Sequence, residues 1–339
     1  MGDARPSKRA RNDASSKGSR EDTTAGYKRS ENFWLRDGNV ILVAEKTAFR
    51  VHQSVLERKS VVFQDMFGVP QPEEAETLEE CPLVHVSDTA EDITHMLSVL
   101  YDGDRFLNMN TSISMKMVFA LLQLGIKYQI DYLRDEAISV LEVIYPPSFA
   151  KYVLYQQSNS TLRVTEQTYT QDPIVVINLA WKHNLPSLLP GAFFVCALLP
   201  NRTLAAAAAG APAKDDQLTK LSVDDLVRCL NGREALQSMF LDRYAFLDKG
   251  VVTEGCISPR TCEGSLTERR QDHMWTYVND VVDRDFDPLQ VFDWVEWLHV
   301  CDPCRREFEQ ADYEARQKIY EAVPGMFELL AFMKEHAET

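Results

Sequence analysis

The chain has 339 residues, 45% of them apolar, and a net charge of -15. That length suggests about two domains with real buried cores, and no stretch offers the ~20 apolar residues that a membrane-spanning helix needs. The charge is uneven: residues 1–30 carry eight Lys/Arg against four Asp/Glu, a net +4, so the rest holds -19 (-15 less +4), and such an acidic body repels the phosphate backbone of nucleic acid.

The N-terminus has no apolar signal core, so the expected location is nuclear or cytoplasmic, with the seven cysteines reduced. Neither a membrane nor a nucleic acid is an expected partner of the chain's body. Residues 1–29 are rich in Ser, Lys, Arg and Asp, lack apolar periodicity, and are expected to be a disordered basic tail. Within them Lys8-Arg9-Ala10-Arg11 resembles a short nuclear-localisation signal, a cationic segment suited to an acidic receptor groove. The plainer reading is a solubilising tail.

Val40–Ala44 reads as a strand, Glu45–Ala48 as a polar connection, and Phe49-Arg50-Val51 as a second strand running into two short helices. Those helices carry His52, Leu56, Ser60, Phe63, Met66 and Phe67. Glu73, Glu74, Glu76, Glu79 and Glu80 read as a solvated loop, with an acidic docking patch as the alternative. Leu83–Val86 is a third strand. Asp88 and Glu91 resemble a capping box opening a helix from Ala90 to Leu100, which Gly103 ends. Met117, Ala120, Leu121 and Leu124 mark another helix; Ile130, Leu133, Ala137, Val140, Leu141 and Ile144 mark a third, stopped by Pro146-Pro147.

Strand, hairpin, strand, then His-x-x-x-Leu at 52–56 and Ser-x-x-Phe-x-x-Met-Phe at 60–67, closely resembles the start of a BTB/POZ domain. The element order through residue 145 is also that of the family, so the resemblance covers residues 34–145. Asp37-Gly38-Asn39 and Pro70-Gln71-Pro72 look most like the fungal branch. The resemblance implies an α+β fold, a small sheet with helices, and a non-catalytic module that binds protein partners, a second copy of itself included. It makes Phe49, His52, Leu56, Ser60, Phe63, Met66 and Phe67 the fold and interaction signature, with His52 structural at the corner. Many animal relatives place an Asp in the first strand and a basic residue after the corner His. Asn39 and Gln53 stand there, so that charged pocket is missing.

The remainder, 146–339, reads as mainly helical, with candidates at Ile174–Trp181, Leu218–Phe246, Ser265–Val282, Pro288–Val300 and Arg305–Ala322. Ala192–Leu199 reads as a buried helical segment, and Leu204–Ala213 as a variable loop or frayed helix. Val291, Trp294, Trp297 and Leu298 form a stripe expected to be core. No phosphate loop, nucleophile elbow, Gly-x-Gly-x-x-Gly or His-Glu-x-x-His is present, so the chain is expected not to be an enzyme.

Cysteines supply the exception. Cys301-Asp302-Pro303-Cys304 is a tight pair, and Cys256 and Cys262 flank Ser258-Pro259 upstream. Four thiolates could close a tetrahedron around a structural Zn²⁺ and staple 256–304, with the two neighbouring helices as a hairpin and His299 as reserve ligand. Free thiols and a redox pair are the other readings. The functional expectation is a dimerising or partner-recruiting adaptor. The alternatives are a nuclear regulator recruiting corepressors and a cullin-type ubiquitin ligase adaptor, for which Asp104–Leu107 offers no matching motif.

Overall fold

The computed structural model describes residues 23–24, 26–70, 76–103, 113–157, 172–210, 219–243, 252–268, 287–291 and 298–336. They fall into two compact units: Met1–Tyr101 with Tyr128–Ile130, and Asp102–Lys127 with Asp131–Thr339. The nuclear-signal residues Lys8, Arg9 and Arg11 lie outside the described residues, as do Trp294, Trp297 and Asp104–Leu107.

The first unit is built on a mixed sheet. Its strands are β1 (Thr23–Thr24), β2 (Tyr27–Trp34), β3 (Val40–Ala44), β4 (Thr47–Val51), β5 (Thr77–Leu78) and β6 (Cys81–Val86), in the order β1-β2-β4-β3-β6-β5. β3 lies inside the sheet, antiparallel to β4 and parallel to β6. All five of its residues are buried, which is why Val-Ile-Leu-Val-Ala reads as an unbroken apolar run. Ile41 and Val43 pack with Ala48, Leu78 and Cys81 against Tyr27, Trp34 and Leu83. Pleating then sends Val40, Leu42 and Ala44 to the other face. The β3–β4 turn has two residues, and Glu45 takes φ 53° there.

The expected tail over 1–29 needs correcting at its C-terminal end. Thr23–Thr24 and Tyr27 onward are strands, β2 running parallel to β4. Only Ser30 and Phe33 of β2 are buried, so the strand leaves almost no apolar signature; its backbone is held by pairing instead.

Three helices complete this unit: α1 (Gln53–Lys59), α2 (Val61–Gly68) and α3 (Ala90–Asp102), whose last residue falls in the second unit. The cap of α3 is not the expected Asp88–Glu91 box. Thr89 Oγ1 accepts from Asp92 N–H at 3.1 Å, and Glu45 Oε2 accepts from Ala90 N–H at 3.1 Å. Asp88 is otherwise engaged, accepting from the Tyr128 hydroxyl at 2.5 Å.

The second unit is helical: α4 (Met115–Lys127), α5 (Asp131–Ile144), α6 (Phe149–Gln157), α7 (Asp172–His183), α8 (Leu189–Ala197), α9 (Asn201–Ala209), α10 (Val223–Arg243), α11 (Asp302–Met326) and α12 (Leu330–Glu335). The expected helices at 174–181 and 305–322 thus appear as α7 and α11; the one expected at 218–246 appears as α10 but starts only at Val223, residues 219–222 not being α-helical and 218 and 244–246 lying outside the described residues. Residues 204–209, read as loop or frayed helix, belong to α9, which buries Leu204 and Ala207 and ends at Gly210 in the left-handed region, φ 69°. α4 and α5 cross closely, since a Cβ on Gly125 would lie 2.6 Å from the Arg134 nitrogen. No single helix among the described residues is long and apolar enough to cross a membrane.

Pro288–Val300 does not form the expected helix at its described ends. Asp287 caps a turn there, accepting from Leu289 N–H at 2.9 Å, and 298–300 is extended or irregular. Arg243 reaches this turn from α10, donating to Pro288 O at 2.9 Å and Gln290 O at 2.5 Å. Val291, expected in a core stripe, is 62% exposed, whereas Leu298 is buried.

Candidate interaction domain and cysteine cluster

The corner from β4 into α1 and α2 is held by polar side chains around an apolar centre. Phe49, Val51, Leu56 and Phe63 are wholly buried, while Phe67 and Met66 are half-buried. Phe63 stacks on Tyr128 with centroids 4.6 Å apart, and Phe67 stacks on Phe63 at 6.0 Å. Ser60 caps α2 by accepting from Phe63 N–H at 3.1 Å, and its hydroxyl donates to Tyr128 O at 2.6 Å. A buried serine is thereby satisfied on both sides. Burial, with the Asp88 acceptor next, pushes the Tyr128 phenol up, so it stays a donor.

His52 ties the corner to Tyr101 and Asp37. Its N–H donates to the Tyr101 hydroxyl at 2.8 Å, its Nδ1 lies 3.2 Å from the same oxygen, and its Nε2 lies 3.3 Å from Asp37. A backbone N–H at Asp37, followed by His52, holds the Asp37 carboxyl below its usual range. Asn39 serves the local backbone. Its Oδ1 accepts from Gln53 N–H at 2.9 Å, at the start of α1.

In the second unit the chain brings Cys256, Cys262, Cys301 and Cys304 together. Their sulfur atoms all lie within 4.8 Å of one another, a grouping that could hold a metal ion. Cys262 and Cys304 are buried, and Cys256 and Cys301 are half-buried. Two helix starts deliver the thiols. Helical backbone begins at Pro259, just after Ser258, and puts Cys262 in its first turn. Cys301 is the N-cap of α11, and Cys304 sits in that helix's first turn. Most of the expected helical hairpin lies outside the described residues; within them, the N-terminus of α11 meets the 252–268 segment, and residues 298–300 are not helical. His299 is exposed, outside the group of four, and its N–H is engaged by Ser265 Oγ at 3.1 Å.

Sulfurs are surrounded by donors. Cys301 N–H donates to Cys262 Sγ at 3.3 Å, and Thr253 Oγ1 lies 3.5 Å from Cys304 Sγ. Hydrogen bonding from the Cys304 N–H, with Ile257 N–H contributing, brings the Cys301 thiol down to about 6. Burial pushes the Cys256 thiol up to about 12, against a hydrogen bond from Ser258 N–H. One thiolate among close thiols makes it harder for the next to ionise. Thr253 carries no sequence signal; only the folded chain identifies it.

Residues 34–145 match the protein-family model described as BTB/POZ domain. This stretch is a BTB/POZ domain. Among curated proteins no match to the chain was found. BTB/POZ domains are protein-protein interaction modules, not an enzyme family. The motif residues of this BTB domain mostly build its interior: Phe49, Leu56, Ser60 and Phe63 are buried, so a partner would meet exposed neighbours such as Val61, at 51% exposure.

Proposed function

We propose that the chain is a non-catalytic adaptor that binds protein partners, a second copy included, through the face built from residues 34–67. The carrying observation is the BTB/POZ match over 34–145, supported by the exposed Val61 on α2 next to a fully packed corner. The resemblance to the fungal branch rests on Asp37-Gly38-Asn39 and on Pro70 with its neighbours. Val61→Asp puts a charge where an interface core tolerates it least. Affinity capture with the full-length variant should lose most partners, and sedimentation should show less self-association, with unfolding unchanged. Retention of every partner and of the same mass would reject this face.

The nuclear reading favours a regulator over a cytoplasmic adaptor, and it depends on Lys8, Arg9 and Arg11. Replacing all three by Ala removes three charges from a segment of net +4. A fluorescent full-length fusion should then shift from nucleus to cytoplasm; an unaltered distribution counts against the signal. The cullin reading has no motif in the sequence to support it.

A second observation favours a second role. The four clustered cysteines are read as ligands of one metal ion that ties 252–268 to the start of α11.

A further inference from the structure

We infer that Cys256, Cys262, Cys301 and Cys304 form a closed tetrathiolate site for a single structural Zn²⁺, with a hydrogen-bond donor set against each sulfur. The inference rests on the metal reading above and deepens it to ion, stoichiometry and role. The first argument is size. Zn–S bonds of ~2.3 Å in a tetrahedron place neighbouring sulfurs ~3.8 Å apart. Cys256 Sγ and Cys301 Sγ lie 3.7 Å apart, across the two sequence pairs, and none of the six separations exceeds 4.8 Å. That spacing is too long for a disulfide, whose sulfurs are bonded at ~2.05 Å. It is also too tight for an iron-sulfur cluster, which interposes bridging sulfides and several irons between its cysteines.

Electrostatics give the second argument. Four thiolates around a divalent cation leave a net charge of -2, which a half-buried site must offset. The Cys301 N–H faces Cys262 Sγ, the Thr253 hydroxyl faces Cys304 Sγ, the Cys304 and Ile257 N–H groups face Cys301 Sγ, and the Ser258 N–H faces Cys256 Sγ. Such outer donors orient ligands and tune the ion. Two helix N-termini, at 259 and at Asp302, also point their positive ends toward the sulfurs.

Ligand chemistry decides among ions. A tetrahedral four-sulfur set suits zinc or iron, and zinc binds the more tightly of the two divalent ions. Four protein ligands leave no open position for water, so the site is structural rather than catalytic.

Full-length protein purified under reducing conditions should carry about one zinc per chain by elemental analysis. Cobalt should replace it and give the visible bands of a tetrahedral thiolate site. Cys301→Ser should lose the zinc and melt at lower temperature. Because that variant can misfold, Thr253→Val supplies a milder test: all ligands remain, and zinc affinity measured against a chromogenic chelator should fall ~10-fold. Iron in place of zinc would overturn the zinc assignment and leave the metal reading standing. A folded, metal-free wild type with four thiols open to titration, or two disulfides, would overturn both.

Discussion

Replacing Phe63 by Ala should cost ~3–5 kcal/mol of unfolding free energy, the range for deleting a fully buried aromatic side chain. Phe63 has no exposed surface, and its ring fills the space between Tyr128 and Phe67. Removing the ring leaves a cavity lined by aromatic faces that the β4–α1–α2 corner cannot collapse to fill, because Ser60 fixes the backbone on both sides of α2's first turn. The Ser60 cap itself survives, since Phe63 contributes only its backbone N–H to it. Urea unfolding of the full-length variant measures the loss. A change below ~1 kcal/mol would remove Phe63 from the core.

Asp312→Ala should be about as damaging in the second unit, at ~3–5 kcal/mol. The Asp312 carboxylate accepts from Arg243 Nε at 2.8 Å and from Arg316 Nε at 3.0 Å. The Arg243 side chain is wholly buried and Asp312 is 1% exposed. Without the carboxylate, the buried guanidinium loses its ion-pair partner at Asp312, and its aim at Pro288 O and Gln290 O loosens. The 287–291 turn should loosen with it. A double-mutant cycle of Arg243→Met and Asp312→Leu separates the cost of an orphaned charge from the worth of the pair. The double variant should be less damaging than the sum of its singles, by ~0.5–3 kcal/mol. Strict additivity would mean that the two residues act independently.

Metal removal tests a different joint of the same unit. The cysteine site ties the 252–268 segment to the start of α11, whereas Arg243 ties the end of α10 to the 287–291 turn and, through Asp312, to the middle of α11. One helix is therefore anchored twice, by the clustered thiols at its first turn and by an ion pair near its middle.

The chain is legible where burial leaves a pattern. β3 reads as a strand because every residue is apolar and buried, and α4 and α5 in the second unit read as helices because Leu121, Leu124, Leu133, Ala137 and Leu141 keep helical spacing. β2 does not, because its backbone pairs with β4 while only Ser30 and Phe33 of its eight residues are buried. The cap of α3 escapes a sequence reading for a related reason. Asp88 and Thr89 are both good capping residues, and only the fold shows that Tyr128 occupies Asp88 and leaves the cap to Thr89.

From the sequence alone come the BTB/POZ fold of residues 34–145, the helical character of the C-terminal region, and the four cysteines worth watching. Each of these is local: a periodicity, a corner motif, or a residue type able to bind metal. It takes the folded chain to show that Cys256 and Cys262 meet Cys301 and Cys304, that Thr253 lies against one of the sulfurs, and that Arg243 holds the turn at 288–290 through its carbonyls. Those outcomes pair groups some 40 to 50 residues apart in the chain. Loop closure costs little more at one such separation than at another, so spacing alone could not select the partners; packing and charge compensation did.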